Sequence, residues 1–421
     1  MRRWESPKPH GECFGGGIRK AVCAGTGCSV VELNDVPHIF AAVVPGSGGT
    51  FRQQARGALL TVHMVMDEEG GHGGTVSQTI FLARQSDAEE CRQMVHHHYG
   101  PHLPATSYIP QAPCGGELLA IEALGVSHAH AQVEIERVNA QLVICRNHGM
   151  AWAHCALVQR QPRPGDIYDD ALDAFAQIRR LLGSVSIPFD QVIRTWLYLG
   201  GIVEGDGPRQ RYRELNRARD DFYREIPFRR FAGARPQTGY PASTGIGIEG
   251  RGIMMSGIAL ATDREDVIAR PLENPRQTAA YNYALRYSAQ SPKFSRAMAL
   301  SCGSDAIIFI SGTASITDSA SRHEEDAVAQ VHQTLDNIAA LLGEDNLSNH
   351  GLPGLGTTLD GLTAARVYIK RPADYAGVRA VCERRLGELP TVYAVANVCR
   401  PELLVEIEGI ACSHKAPAGI Y

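Results

Sequence analysis

The sequence has no excess of charge of one sign, few aromatic residues and no long apolar run. Its 41 basic and 45 acidic side chains give a formal net charge of −4, and aromatic residues make up 7% of the chain. Nucleic-acid-binding domains usually carry a basic patch, and no apolar run here approaches the ~18 residues of a membrane-spanning helix. We therefore expect neither a nucleic-acid partner nor a membrane partner.

The cysteines lack the paired spacing of a disulfide framework. There are eleven, an odd number, scattered singly along 421 residues. Such usage suits a reducing compartment. The opening residues MRRWESPKPHGE have no apolar core of the kind that a signal peptide needs. We therefore predict a cytoplasmic protein in which residues 1–17 form a flexible tail.

What the sequence does contain is one order of elements written three times. In the last third, IFISGTASI precedes a helical run, a strand over 363–370, a second helical run, a strand after Pro390 and the strand LLVEIEGIAC. The middle and first thirds repeat this order more loosely. Apolar residues at helical spacing alternate with strands whose side chains alternate in polarity. Each repeat predicts a mixed sheet with helices packed on one face.

The repeats also set the expected domain boundaries. We predict a degenerate first copy over 18–126, a second copy over 127–262, a proline-containing connector over 263–292 and a third copy over 293–414. Each sheet leaves one apolar face uncovered, and three copies can bury those faces against one another. The expected fold is α+β, with three like domains around a pseudo-threefold axis, as a monomer or as a homo-oligomer of such pseudo-trimers.

The order of elements, ending in VEIEGIA, resembles the RidA/YjgF superfamily, whose domains are chorismate mutase-like. Over about residues 130–414 the chain resembles the chorismatase branch more closely, in PASTGIGIEG, SGTASI, QVHQTLDNI and VCRPELLVEIEG. The first copy is then an extra N-terminal RidA-like domain. The resemblance implies a cofactor-free enzyme that cleaves the enolpyruvyl ether of chorismate or a close analogue. Its products would be pyruvate and a hydroxybenzoate or dihydroxycyclohexadiene carboxylate.

Two glutamates stand out in the last strand. Glu406 and Glu408 are two residues apart and therefore face the same side of a strand. Two carboxylates on one face of a packed sheet are unusual, because unpaired buried charge is costly. The resemblance implies that Glu406 is the general acid, while Glu408 is a weaker candidate for substrate contact. The alternative for both is an ion pair across a domain interface.

Other residues are candidates for holding the substrate. Arginines bind carboxylates with two parallel hydrogen bonds, and we predict this role for Arg235 and Arg296, ahead of Arg194 and Arg400. Further candidates for substrate contact lie in the connector and in SGTAS, namely Tyr281, Tyr283, Tyr287, Thr313 and Ser315. The resemblance makes Cys399 a catalytic candidate that favours a hydroxybenzoate product, whereas Ala314 favours the dihydroxy diene.

Rival readings stay open. One is a RidA-like deaminase or hydrolase acting on another small carboxylate, which is disfavoured because no copy keeps the arginine of the RidA Pro-Ala-Arg-Ser stretch. Another is a non-catalytic binder of a small ligand. The triplet His96-His97-His98 suggests a metal, but adjacent helical residues point in different directions. We therefore interpret it as a solvated helix end and predict neither a metal nor a cofactor.

Overall fold

The computed structural model describes residues 17–127, 132–159, 167–206, 209–231, 237–283 and 291–415. Its framework is three six-stranded sheets, one in each third of the chain. Among the helices of these described residues, none has the length and apolar character needed to cross a membrane.

The first sheet carries two helices. Its elements in chain order are β1 (Arg19–Cys23), β2 (Thr26–Leu33), β3 (Val36–Val43), α1 (Phe51–Glu68), β4 (Thr75–Leu82), α2 (Ala88–Tyr99), β5 (Ala105–Ile109) and β6 (Leu119–Val126). The strands lie in the spatial order β1-β2-β3-β6-β4-β5. β4 pairs with β5 in parallel, and the other pairs are antiparallel.

The second sheet has the same plan with small additions. Its elements are β7 (Glu134–Asn139), β8 (Leu142–Asn147), β9 (Met150–Gln159), α3 (Ile167–Gly183), β10 (Val192–Gly200), β11 (Gly205–Asp206), β12 (Arg209–Gln210), α4 (Arg211–Arg224), β13 (Arg230–Phe231), β14 (Gln237–Thr238), β15 (Ala242–Ile248) and β16 (Ile253–Thr262). The six main strands lie in the order β15-β10-β16-β9-β8-β7, while β11 pairs with β12 and β13 with β14 as separate ribbons.

The third sheet repeats the plan once more. Its elements are β17 (Val267–Leu272), β18 (Ala297–Cys302), β19 (Asp305–Ala314), β20 (Ile316–Thr317), β21 (Ala320–Ser321), α5 (Ala327–Leu342), α6 (Glu344–Asn349), β22 (Leu362–Ile369), α7 (Tyr375–Leu386), β23 (Thr391–Val395) and β24 (Val405–His414). The strand order is β17-β18-β19-β24-β22-β23, with β20 and β21 forming a short ribbon.

Helices cover one face of each sheet, as the third sheet illustrates. Val331 and Leu335 of α5 share one apolar core with Ile308 of β19 and Val367 of β22. Asp326 caps α5 at its start by accepting a hydrogen bond from the backbone of Ala329. Mixed sheets with helices on one face confirm the predicted α+β class.

The opposite faces of the sheets meet one another. One apolar cluster contains Phe81 from the first sheet, Tyr198 and Met254 from the second, and Tyr368 and Val392 from the third. A second such cluster also draws on all three sheets. The helix-free faces are therefore buried by mutual contact rather than left to solvent.

The third sheet begins earlier in the chain than the sequence suggested. Residues 263–292 were expected to be a connector, yet β17 lies within them and pairs antiparallel with β18. The prolines explain the difference, because Pro271 lies inside β17, at the edge of the sheet. An edge strand tolerates proline, which has no N–H to donate to a neighbouring strand.

Candidate active site

A cavity of about 220 Å³ lies between the second and third sheets. One wall comes from α4 and β15, and the other comes from the end of β19 and the start of β24. Residues just before β18 and the loop between β23 and β24 complete the lining. The polar and aromatic side chains on its walls include Tyr212, Arg213, Asn216, Arg219, Tyr283, Phe294, Arg296, Cys399, Arg400 and Glu406.

Glu406 lies near the start of β24, on the face turned away from the helices. Its neighbours Val405 and Ile407 belong to the core beneath the helices, since successive side chains in a strand point to opposite faces. Gly312 on β19 provides room for the carboxyl group, because a Cβ atom at that position would overlap Oε1 of Glu406. A larger residue at 312 would therefore displace the carboxyl.

The carboxyl of Glu406 is held in its neutral form. The side chain is buried, with 4% of its surface exposed. Burial and the nearby negative charge of Glu408 raise the pKa of Glu406 to about 8, against smaller opposing effects of Arg194 and Arg296. Desolvation disfavours the ionised form of a carboxyl. Glu406 is therefore mostly protonated at neutral pH and is a suitable proton donor to a bound molecule.

Glu408 has the opposite environment. Arg194 Nη2 donates to Oε2 at 2.5 Å, and Trp196 Nε1 and Arg366 Nη1 donate to Oε1 at 2.9 and 3.0 Å. Two hydroxyl groups, from Thr244 and Tyr368, also donate to this carboxylate. Burial alone would raise the pKa of Glu408, but the two guanidinium groups hold it below its ordinary value. Glu408 is therefore an ionised neighbour of a protonated acid.

The charge network around Glu408 extends into the first sheet. Arg366 Nε donates to Oε2 of Glu122 at 2.6 Å, and Arg366 Nη2 donates to Thr79 Oγ1 at 3.0 Å. Glu122 lies on β6, Arg194 on β10, and Arg366 and Glu408 on β22 and β24. All three sheets thus contribute charged groups to one buried network of two arginines and two glutamates.

Arg296 presents a guanidinium group to the cavity. It is 3% exposed, and its Nη2 donates to the backbone oxygen of Thr278 at 2.8 Å and to Tyr283 Oη at 2.5 Å. Its buried Nε finds no hydrogen-bond acceptor among the described residues. A buried guanidinium that lines a cavity is suited to an anionic ligand.

Arg219 is a second buried arginine in the same cavity, and the sequence did not reveal it. It is 1% exposed, and its Nε also lacks an acceptor within the described part of the chain. Nη1 donates to Ser243 Oγ at 3.4 Å, and Nη2 donates to Asn216 Oδ1. The usable signal was spacing: Tyr212, Asn216 and Arg219 lie one turn apart on α4 and share one face.

Cys399 and Arg400 lie on the loop before β24. Burial and the proximity of Glu406 raise the pKa of the Cys399 thiol to about 12, so it stays a neutral thiol rather than a thiolate nucleophile. Arg400 Nη1 donates to the backbone oxygen of Ser319 and to Ser321 Oγ at 3.0 and 3.1 Å. Its guanidinium also stacks near the ring of Tyr283, at 5.4 Å.

Comparison with known proteins decides the family. Residues 128–259 match a family model described as chorismatase FkbO/Hyg5-like, N-terminal, and residues 288–413 match the endoribonuclease L-PSP model. A 3-hydroxybenzoate synthase from Streptomyces hygroscopicus is 33% identical over 62% of this chain and 76% of its own length. A chorismatase from Streptomyces rapamycinicus is 35% identical over 62% of this chain and 77% of its own length. This chain belongs to the chorismatase family.

A solved chorismatase structure also matches the fold. It gives a TM-score of 0.62 over 80% of this chain and 93% of that chain, at 22% identity. Residues 127–421 make up less than 80% of the sequence, so the match must extend into the first sheet. The chorismatase resemblance expected from the sequence is therefore confirmed, and the structural likeness is longer than the sequence likeness.

The structure brings together part of the predicted chorismatase site. Glu406, Arg296, Cys399 and Tyr283 all line the cavity of about 220 Å³. Glu408, proposed for substrate contact, instead borders a separate space of about 70 Å³ together with Arg194. Two other predicted residues, Arg235 and Tyr287, lie outside the described residues.

Three predicted contacts point elsewhere. Gly312, Ala314 and Ile316 line the cavity, so the alternating residues Thr313 and Ser315 face away from it. Thr313 Oγ1 donates to the backbone oxygen of Ser311, and Ser315 Oγ to that of Arg322. Tyr281 packs beside Tyr240, with ring centroids 5.8 Å apart.

Proposed function

We propose that this chain cleaves the enolpyruvyl ether of chorismate, or of a close analogue, and releases pyruvate. The observation that carries this proposal is the buried, protonated Glu406 in a cavity that also presents the two buried guanidinium groups of Arg219 and Arg296. An enol ether breaks down after protonation of its methylene carbon, which gives an oxocarbenium ion. That step needs a positioned acid that still holds its proton near neutral pH.

In the proposed mechanism the two glutamates have different roles, one as the proton donor and the other as a permanent negative charge. Glu406 gives its proton to the methylene carbon and becomes a carboxylate facing the new cation. Glu408 stays ionised throughout, because Arg194 and Arg366 bind it. In the free enzyme its charge adds to the effect of burial in keeping Glu406 protonated, and in the transition state it adds negative potential where positive charge develops.

Arg296 and Arg219 are the proposed partners of the two substrate carboxylates. Both are buried, both line the cavity, and each has an Nε for which the described residues supply no acceptor. A dicarboxylate bound in the cavity would offset these two buried positive charges. Tyr283, bonded to Arg296, is the proposed hydroxyl contact beside the ring. Arg235 and Tyr287 remain proposals from the sequence.

The second product depends on how the cation collapses. Water addition consumes one water and gives pyruvate and a dihydroxycyclohexadiene carboxylate, whereas aromatisation gives pyruvate and a hydroxybenzoate without net water. Cys399 and Ala314 both line the cavity, and by family pattern they favour different outcomes. We propose hydroxybenzoate as the main product, because the Cys399 thiol lies in the cavity beside Glu406.

We also propose that residues 18–126, 127–262 and 293–414, the last extended by β17, are three RidA-like domains around a pseudo-threefold axis. Identical strand orders and apolar clusters fed by all three sheets support this arrangement. The ten described cysteines are all free, which supports a cytoplasmic location.

A direct assay tests the proposed reaction. Purified protein is incubated with chorismate, pyruvate is measured by coupled lactate dehydrogenase, and the ring product is identified by mass spectrometry. We expect stoichiometric pyruvate, with a ring product one water lighter than the dihydroxy diene. Absence of pyruvate above the E406Q background, with an intact fold, would overturn the proposed function. A dihydroxy diene as the main product would overturn only the hydroxybenzoate assignment.

A further inference from the structure

A group of metal-ligating side chains lies on the first sheet's helical side, away from the chorismatase cavity. His63, Asp67 and His72 place one ligand atom each within 4.8 Å of one another. His63 Nε2 lies 3.2 Å from Oδ2 of Asp67, and His72 Nδ1 lies 3.0 Å from Oδ1 of the same carboxylate. All three side chains are accessible to solvent, so an ion can reach them.

Two features of the local sequence bring these three side chains together. His63 and Asp67 are four residues apart on α1, so they lie one above the other on one face of the helix. His72 follows the helix in the segment Gly70-Gly71-His72-Gly73-Gly74. The segment turns back over the end of α1, and the backbone N–H of Gly71 bonds to the carbonyl oxygen of Met66 at 2.7 Å.

Close packing favours glycine on both sides of His72. A Cβ atom at Gly71 would come within 2.8 Å of Ile39, and one at Gly74 would overlap the backbone oxygen of Val126. Gly73 has a φ of +65°, in the left-handed region that favours glycine. The turn is therefore fixed by close packing on the sheet, and this fixes where the His72 imidazole emerges.

A third imidazole stands at the edge of the group. The ring of His98, at the end of α2, packs edge-on to that of His63 with centroids 5.6 Å apart. Its Nε2 is buried and has no hydrogen-bond partner among the described residues.

We propose that His63, Asp67 and His72 bind a divalent transition-metal ion of the zinc class. Two imidazoles and one carboxylate are a donor set that suits Zn²⁺ and disfavours Mg²⁺ and Ca²⁺, which prefer oxygen ligands alone. Three protein ligands leave a coordination position for water. The ion would tie the glycine turn to α1, and it would stabilise the first domain without entering the proposed reaction.

Zinc titration of tag-free protein tests the site, with a chromophoric chelator as competitor. We expect one equivalent to bind to the wild type. H63N and H72N should each weaken this binding by ~10-fold or more, the order of loss when a metal site's ligand sphere is disturbed. The matched control is H97N, because His97 is an exposed histidine on α2 and should bind as wild type does. Zn²⁺ should raise the Tm of wild type and H97N, but not that of H72N.

Two results would overturn the proposal. One is the lack of a single tight equivalent of Zn²⁺ in the wild type. The other is equal affinity in H63N, H72N and H97N, which would assign any bound zinc to other thiols or imidazoles of the chain. Far-ultraviolet circular dichroism of each variant confirms that the fold is retained. Because the readout is binding and Tm, it is independent of whether chorismate is cleaved.

Discussion

Replacement of Glu406 by glutamine should lower activity and raise stability at the same time. Glutamine has nearly the same shape and fits beside Gly312, but it has no proton of suitable acidity to give. Positioned acid catalysis contributes ~10²–10⁴-fold, so we expect turnover of chorismate to fall by at least ~10²-fold. The wild-type rate should also decline as pH rises through about 8, where Glu406 loses its proton.

The stability effect follows from the same raised pKa. Glu406 has a pKa of about 8 when folded against an ordinary value of 4.5, so between these values the folded protein binds more protons than the unfolded chain. Its stability contribution is therefore full below pH 4.5 and is lost as pH rises towards 8. One unit of pKa is about 1.4 kcal/mol. At pH 7 glutamine, which never ionises, should therefore make the protein more stable by about 2–4 kcal/mol.

The measurement is a pair of curves for wild type and E406Q. Urea unfolding from pH 5 to pH 8.5 should show a stability difference that grows with pH, while coupled pyruvate release gives the rates. A merely structural glutamate would cost stability when replaced. Wild-type rates in E406Q, or a stability difference that does not change with pH, would refute the assignment of Glu406 as a neutral acid.

Two further predictions concern its neighbours. R219A and R296A should each raise KM for chorismate by ~10–100-fold, because a charge-assisted hydrogen bond is worth about 1.5–3 kcal/mol. R400A is the control and should change KM less, because the Arg400 guanidinium binds a backbone oxygen and a serine hydroxyl. Equal KM values in all three variants would contradict the assignment. E408Q should lower the free energy of unfolding by about 3–5 kcal/mol, since it leaves Arg194 and Arg366 partly unpaired, and should move the alkaline limb of the rate profile to lower pH. An unchanged limb would show that Glu408 does not set the protonation of Glu406.

The repeated architecture was predictable because it depends on local periodicity. Each copy shows strand alternation and helical spacing in the same order, and short connections leave few ways to arrange such elements. β17 was missed because Pro271 reads as a break, and only the partner strand shows that this is an edge position. Sequence pattern does not contain that information.

The site was only partly predictable, for reasons that can be assigned to individual residues. Glu406 and Glu408 share a face by strand geometry, but only the fold shows that one reaches a cavity and the other an ion network. Thr313 and Ser315 were predicted to contact the substrate, but Gly312 and Ala314, each one residue earlier in the strand, face the cavity instead. Arg219 lies in a highly charged helix, and the sequence does not show that most of α4 is buried.

The buried network of Glu122, Arg194, Arg366 and Glu408 has a consequence for how such a chain can evolve. Glu122 and Glu408 occupy equivalent strand positions, opposite Thr79 and Arg366 respectively, whereas the second copy has Ser256 opposite Trp196 there. In a trimer of identical subunits the same residue would occupy this strand position in all three copies. A glutamate there would then place three like charges close to one another. Tandem duplication within one gene removes that constraint. Each copy can then mutate alone, and a network of two arginines and two glutamates becomes accessible where groups from the three sheets meet.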